Sequence, residues 1–173
     1  MKIGILTVSD RASTGQYQDL SGPAIINWLQ LALITPYEIA YQVVADGSER
    51  VAAALIDMTD VSGCGLVLTT GGTGPAPRDQ TPEAMARVME KELAGFGEQM
   101  RRVSLEQTPT AILSRQTAGI RGKSLIINLP GKPSAIETCL DAVFGAVPFC
   151  LDLIGGGYIE TDPDRVYAFR PAK

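Results

Sequence analysis

The segment Thr69 to Ala84, TTGGTGPAPRDQTPEA, concentrates residue types that bind phosphate and support its transfer. Gly71, Gly72 and Gly74 let several backbone N–H groups point into one concavity and, lacking side chains, allow an anion close approach. A tight strand-to-helix turn would account for the glycines alone. The neighbouring Thr70, Thr73, Arg78 and Asp79 add hydroxyl donors, a cation and a carboxylate, and they favour an anion site. A second carboxylate, Asp46, lies in the turn Ala45-Asp46-Gly47-Ser48, also between an expected strand and an expected helix. Asp46 and Asp79 would then share one edge of a parallel sheet, where a carboxylate pair can hold Mg²⁺ against nucleotide phosphates. Alone, Asp46 could merely cap its turn and Asp79 merely pair with Arg78.

Two further loops should border the same crevice. Ser9, Asp10 and Arg11 end the first expected strand, and Pro130, Gly131, Lys132, Pro133 and Ser134 follow the last. The second loop offers a close backbone approach, a lysine, a hydroxyl and a helix N-terminus to an anion, or it is simple turn chemistry. Ser114 is a further candidate, although a surface pair such as Ser114-Arg115 is usually only solvated. Two near-motifs are set aside. TAGIRGKS, Thr117 to Ser124, has threonine at the first glycine of a phosphate loop and enters a strand, so a hairpin turning at Gly122 explains it better. Gly72-Thr73-Gly74 has Pro77 in place of the third glycine of a dinucleotide fingerprint.

The elements that position these loops follow from periodicity. Lys2–Val8 and Gly65–Thr70 read as buried strands, Tyr37–Val44 as another strand, and Gln116–Arg121 and Ser124–Leu129 as two more. Helices are expected from Ser21 through AIINWLQLAL, over Glu49–Asp60 with Ser48 as cap, from a Thr81 cap with Pro82 and Glu83 in the first turn, and over Phe96–Gln107. Pro133–Ile154 reads as a helix broken at Gly145 or Pro148. Alternating strands and helices imply a single-domain, three-layer α/β/α fold spanning residues 1–173, with a mostly parallel open sheet.

Composition narrows the function. Forty-five per cent hydrophobic and 20% charged residues suit a soluble globular chain, and 173 residues suit one domain. No apolar run looks long enough to span a membrane, and no secretory signal is evident, so the expected location is cytoplasmic. A formal charge of −4 disfavours nucleic acid. Cys64, Cys139 and Cys150 lack C-x-x-C spacing and read as reduced thiols. With no histidine in the chain, imidazole bases and His-ligated zinc are excluded.

VSDRAS (Val8–Ser13), SGPAI (Ser21–Ile25), LTTGGTGPAPRDQTPEA (Leu68–Ala84), GFGEQMR (Gly95–Arg101), TAILSR (Thr110–Arg115), AGIRGKSLIINLPGKPSA (Ala118–Ala135) and the closing AFRP occur in this order across nearly the whole chain. Together they resemble the molybdopterin-binding family of molybdenum cofactor biosynthesis, most closely its Mog-type adenylyltransferases. The resemblance implies transfer of AMP from Mg-ATP to the terminal phosphate of molybdopterin, with release of pyrophosphate. It implies that the family's key acidic residues are Asp46 and Asp79, that its members are trimeric, and that the product is handed to a molybdenum insertase. Proline at position 77 departs from the family loop. Rival readings are a B-type or competence-damage-type paralogue, or a non-catalytic pterin-binding scaffold module.

Overall fold

The computed structural model describes residues 1–172. In chain order the main elements are β1 (Lys2–Val8), the short helical turn α1 (Asp10–Ser13), α2 (Ser21–Ala32), β2 (Glu38–Val44), α3 (Ser48–Ile56), β3 (Leu66–Thr70) and α4 (Thr81–Val88). They continue with β4 (Lys91–Glu92), α5 (Ala94–Leu105), β5 (Ala118–Arg121), β6 (Ser124–Leu129), α6 (Pro133–Val143) and α7 (Val147–Ile154). One sheet has the order β2-β1-β3-β6-β5-β4. Its first four strands are parallel, and β5 and β4 close the far side antiparallel. The β5–β6 hairpin pairs Arg121 with Ser124 around Gly122, whose φ of 54° suits the turn assigned to it.

The central strands are apolar because both faces are covered. Along β1, Ile3 and Ile5 pack on one face, while Leu6 and Val8 face the other. The first core includes residues of α2, α5, α6 and α7; the second is filled by α3 and α4. Strands β1, β2, β3 and β6 therefore all point their carboxyl ends to one edge, and the candidate loops leave from it.

Several expectations need correction. Ser21, Ser48 and Thr81 are the first helical residues, not the caps. The N-terminus of α2 is satisfied by Asp19, whose carboxylate accepts from the amides of Ser21 and Gly22 at 2.9 and 3.2 Å. The expected Glu49–Asp60 helix ends at Ile56 and passes into a π-helical turn, Asp57–Val61. The two-residue strand β4, the turn α1 and the 3-10 helix Pro109–Leu113 were not anticipated, being too short for a periodic signal. The Pro133–Ile154 stretch breaks at the 3-10 turn Phe144–Ala146, which contains Gly145. By length and composition alone these 22 residues, with a mean hydropathy of 1.4 over an 18-residue window, are enough to cross a bilayer, so the expectation that no run is long enough does not hold on that measure. Ile136, Leu140, Phe144, Val147 and Leu151 instead fill the first core, as in a buried helix of a globular fold.

Asp19 also accepts from the Thr7 hydroxyl at 2.7 Å and from the Tyr41 hydroxyl, so one carboxylate ties β1, β2 and the start of α2. Burial pushes its pKa up, but these four donors overcome that and hold it below the usual aspartate value. Burial and the same contact push the Tyr41 phenol up to about 12. The stabilisation by Asp19 is present above the unfolded aspartate pKa and is lost as pH falls through the depressed folded value. Asp19→Ala is expected to cost about 1–2 kcal/mol, the range for a lost helix cap, read as a fall in Tm at neutral pH that narrows in acid.

Candidate functional site

Backbone packing at Gly71 sets the geometry of the strand ends. Gly71 has φ 97°, and a Cβ there would lie 2.2 Å from the Val8 carbonyl oxygen. Its amide donates to Leu129 O at 3.3 Å, and a Cβ on Gly131 would lie 3.4 Å from its Cα. The loops after β1, β3 and β6 thus meet without intervening side chains. Thr70 Oγ1 donates to Pro130 O at 2.8 Å, and Thr81 Oγ1 to Gly71 O at 3.0 Å.

A cleft of about 300 Å³ opens above this contact. Ser9, Asp10 and Arg11 line it just after β1, Asp46 just after β2, Thr70, Gly71, Gly72, Arg78 and Asp79 from the end of β3 and the glycine loop, and Gly131 from the last loop. Both proposed carboxylates therefore stand in one cleft, as expected. Thr73 and Gly74 do not reach it: Thr73 is buried with its carbonyl accepting from Arg115 N, and a Cβ on Gly74 would meet Asp79 Oδ2 at 2.7 Å. Gly74 thus serves to let the Asp79 carboxylate fold back, where Oδ2 accepts from Ala76 N at 3.2 Å. Asp79 N donates to Ala76 O, so Pro77 sits inside a closed turn, with its carbonyl accepting from Gln80 Nε2. No ion pair joins Arg78 to Asp79 among the described residues.

Pro130, Lys132, Ser134 and Ser114 line a second cleft of about 190 Å³, walled also by Ser104, Thr108, Thr110 and Thr138. The two clefts flank the Pro130–Lys132 segment, with Gly131 in one wall and Pro130 and Lys132 in the other. Tyr17, Asp19 and Ser21 in the first cleft were missed as site residues. Arg11 stacks over the Tyr17 ring at 5.2 Å, and Ser21 Oγ donates to Gly131 O at 2.7 Å. The Asp-x-Ser spacing ahead of α2 was a usable signal for Asp19; the folding of residues 14–20 over the cleft leaves none.

Asp10 and Asp46 interlock. Asp10 N donates to Asp46 Oδ2 and Asp46 N to Asp10 Oδ1, both at 3.0 Å. Asp46 Oδ1 is left toward Gly72, where a Cβ would lie 3.4 Å from it. Burial raises the Asp46 pKa, and the charges of Asp10 and Asp79 raise it further against the Asp10 amide and Arg78. The cleft thus gathers negative charge that the protein does not fully neutralise. Asp10, Asp46 and Asp79 each give one oxygen to a backbone amide, which leaves the second oxygen of each for a cation or its waters. No three acidic ligands converge tightly enough to hold an ion alone among the described residues. Such a donor set fits Mg²⁺ completed by substrate oxygens better than an all-protein cage.

A raised folded pKa means that ionised Asp46 opposes folding above that pKa, and that the penalty is relieved as pH falls through it. Asp46→Asn keeps an acceptor for the Asp10 amide and is expected to raise Tm at neutral pH by roughly 1–3 °C in a chain of this size, after discounting for solvent screening. The gain should close toward pH 4 in thermal melts; an equal gain at all pH values would exclude the charge effect.

A family model described as "Probable molybdopterin binding domain" matches residues 4–149. The chain is 57% identical to the molybdopterin adenylyltransferase of Helicobacter pylori, covering 98% of this chain and 96% of that protein. It is 47% identical to that of Escherichia coli, covering 99% and 94%. Among solved structures, the molybdopterin biosynthesis enzyme MoaB of Thermus thermophilus superposes with a TM-score of 0.83 at 42% identity, covering 92% of this chain and 99% of that one. The molybdopterin biosynthesis Mog protein of Mycobacterium ulcerans gives 0.80 at 38%, covering 88% and 98%. With its parallel sheet edge, its glycine loop and its interlocked aspartates, this chain belongs to the molybdopterin-binding domain family of molybdenum cofactor biosynthesis.

Proposed function

We propose that this chain is a Mog-type molybdopterin adenylyltransferase that transfers AMP from ATP to molybdopterin. Near full-length relatives bearing the adenylyltransferase name support the activity. The observation that carries the reading here is the pair of clefts on either side of Gly131: one acidic and bordered by the glycine loop, the other lined by serines, threonines and Lys132. ATP phosphates suit the first and the pterin the second, which sets the two reacting phosphates side by side across one backbone segment.

In the reaction, a terminal phosphate oxygen of molybdopterin forms a bond to the α-phosphorus of ATP. The bond from that phosphorus to the bridging oxygen breaks, and pyrophosphate leaves with the electron pair. The nucleophile is already ionised at neutral pH, so a site without histidine or any other general base suffices. Catalysis then rests on alignment and charge stabilisation. Arg11 and Arg78 supply positive charge to phosphate oxygens in the first cleft. Ser9 and the Thr70–Gly72 backbone shape its floor, although the Gly71 amide is committed to Leu129 O and is not an anion donor. Asp46 and Asp79 would hold Mg²⁺, which supplies charge neutralisation at the phosphates when bound. Lys132, Ser114 and Ser134 would orient the pterin, with the α6 N-terminus behind them. Homotrimeric assembly, a cytoplasmic location and hand-over of the product to a molybdenum insertase belong to the same reading and rest on family membership.

Purified protein given molybdopterin and Mg-ATP is expected to release one pyrophosphate per adenylylated pterin. Asp46→Asn and Asp79→Asn should each lower turnover about 100- to 1,000-fold, the scale of losing one preorganised electrostatic element. Tight pterin binding with no pyrophosphate from the wild type would instead identify a binding module.

A further inference from the structure

Arg115 does something that a reading of Ser114-Arg115 as a solvated surface pair conceals. Its amide donates to Thr73 O at 2.8 Å, Nε to Gly74 O at 3.0 Å and Nη2 to Asp79 O at 2.6 Å, while Nη1 pairs with Glu83 on α4. The guanidinium therefore bridges the two ends of the Gly74–Asp79 turn from outside the cleft. Within the turn itself, two contacts join Ala76 and Asp79, Gln80 Nε2 donates to Pro77 O, and Thr81 N donates to Gly72 O across its base. The Arg115 donors are arranged in a planar fork, so one side chain reaches two carbonyls and a carboxylate at once; a lysine ammonium lacks that spread.

The flanking residues extend this contact in the other direction. Ser114 and Gln116, on either side, both line the second cleft, and their side chains hydrogen-bond each other. Arg101 Nη1 on α5 donates to Gln116 O at 2.7 Å and fixes the segment in turn. Three consecutive residues thus form part of one cleft's wall and the outer brace of the other cleft's carboxylate.

We infer that Arg115 is a positioning residue: it acts through Asp79, holding that carboxylate in register with the wall of the second cleft. The inference rests on the adenylyl-transfer reading for its kinetic consequence, but the geometry it invokes belongs to the loop itself. A displacement of about 1 Å at a reacting centre can cost about 100-fold in rate, so loosening this turn should appear in kcat and little in substrate binding.

Arg115→Gln is expected to lower kcat about 10- to 100-fold while changing the KM for ATP less than about threefold. Combining it with Asp79→Asn should lower kcat no further than Asp79→Asn alone, because residues that act through one another are non-additive. Added guanidinium ion should partly restore Arg115→Ala. Hydrogen exchange of the Gly74–Asp79 amides gives a readout independent of turnover and should accelerate there in Arg115→Gln and less in Arg115→Lys. Wild-type kcat in Arg115→Gln, multiplicative losses in the double variant, or unchanged exchange in the turn would each overturn the inference. A wild type without turnover but with the turn loosened by Arg115→Gln would sink the adenylyl-transfer reading and leave the positioning role standing. Should Arg115→Gln fail to fold, the milder Arg115→Lys carries the same exchange and kinetic tests.

Discussion

The contact between the Gly71 backbone and the Val8 carbonyl governs the working edge of this protein. A side chain at position 71 would overlap that oxygen, and the positive φ there would strain any residue other than glycine. Because Gly71 also abuts Gly131, the loops after three adjacent parallel strands are drawn to one point. Everything functional is measured from there. Asp79 is carried on one of these loops, Asp46 on the loop after β2 is tied to them through its two hydrogen bonds with Asp10, and the second cleft opens on the far side of the same Gly131 segment.

That edge collects charge at some cost to the fold. Four aspartates, Asp10, Asp19, Asp46 and Asp79, line one cleft, and each carboxylate accepts from a backbone amide instead of pairing directly with a cation. The amides fix orientation without cancelling the charge, and the Asp46 pKa rises accordingly. Elsewhere acidic groups are paired in the ordinary way, as with Asp60 and Arg121 or Glu137 and Arg165. The contrast supports a site built to receive a positive ion together with an anionic substrate, the kind of local destabilisation that function requires.

Helix starts show where local rules yield to tertiary demand. Ser21, Ser48 and Thr81 all look like caps by local preference, and each lies one residue inside its helix. Ser21 and Thr81 direct their hydroxyls to Gly131 O and Gly71 O, while the Ser48 amide meets Gln80 Oε1. Hydroxyls that would have satisfied their own helices instead tie neighbouring loops, and Asp19 satisfies the start of α2 from outside.

Residue types and periodicity alone determined the strand and helix order, the shared sheet edge, the hairpin at Gly122 and the location of Asp46 and Asp79 on that edge, because these follow from burial patterns and parallel connectivity. The sequence offered the whole of Thr70–Gly74 to the ligand and could not separate its halves. Tertiary structure decided that Thr70–Gly72 face the cleft and that Thr73–Gly74 serve Asp79, since only the packing of Val8, Thr81 and Arg115 against the loop sets its orientation. It decided too that Ser114, Pro130, Lys132 and Ser134 form a separate cleft, and that Arg115, read as a solvated surface group, braces the loop. Contacts spanning roughly forty residues, like that between Arg115 and Gly74, leave no mark in local spacing; they exist only once the sheet has brought the two loops together.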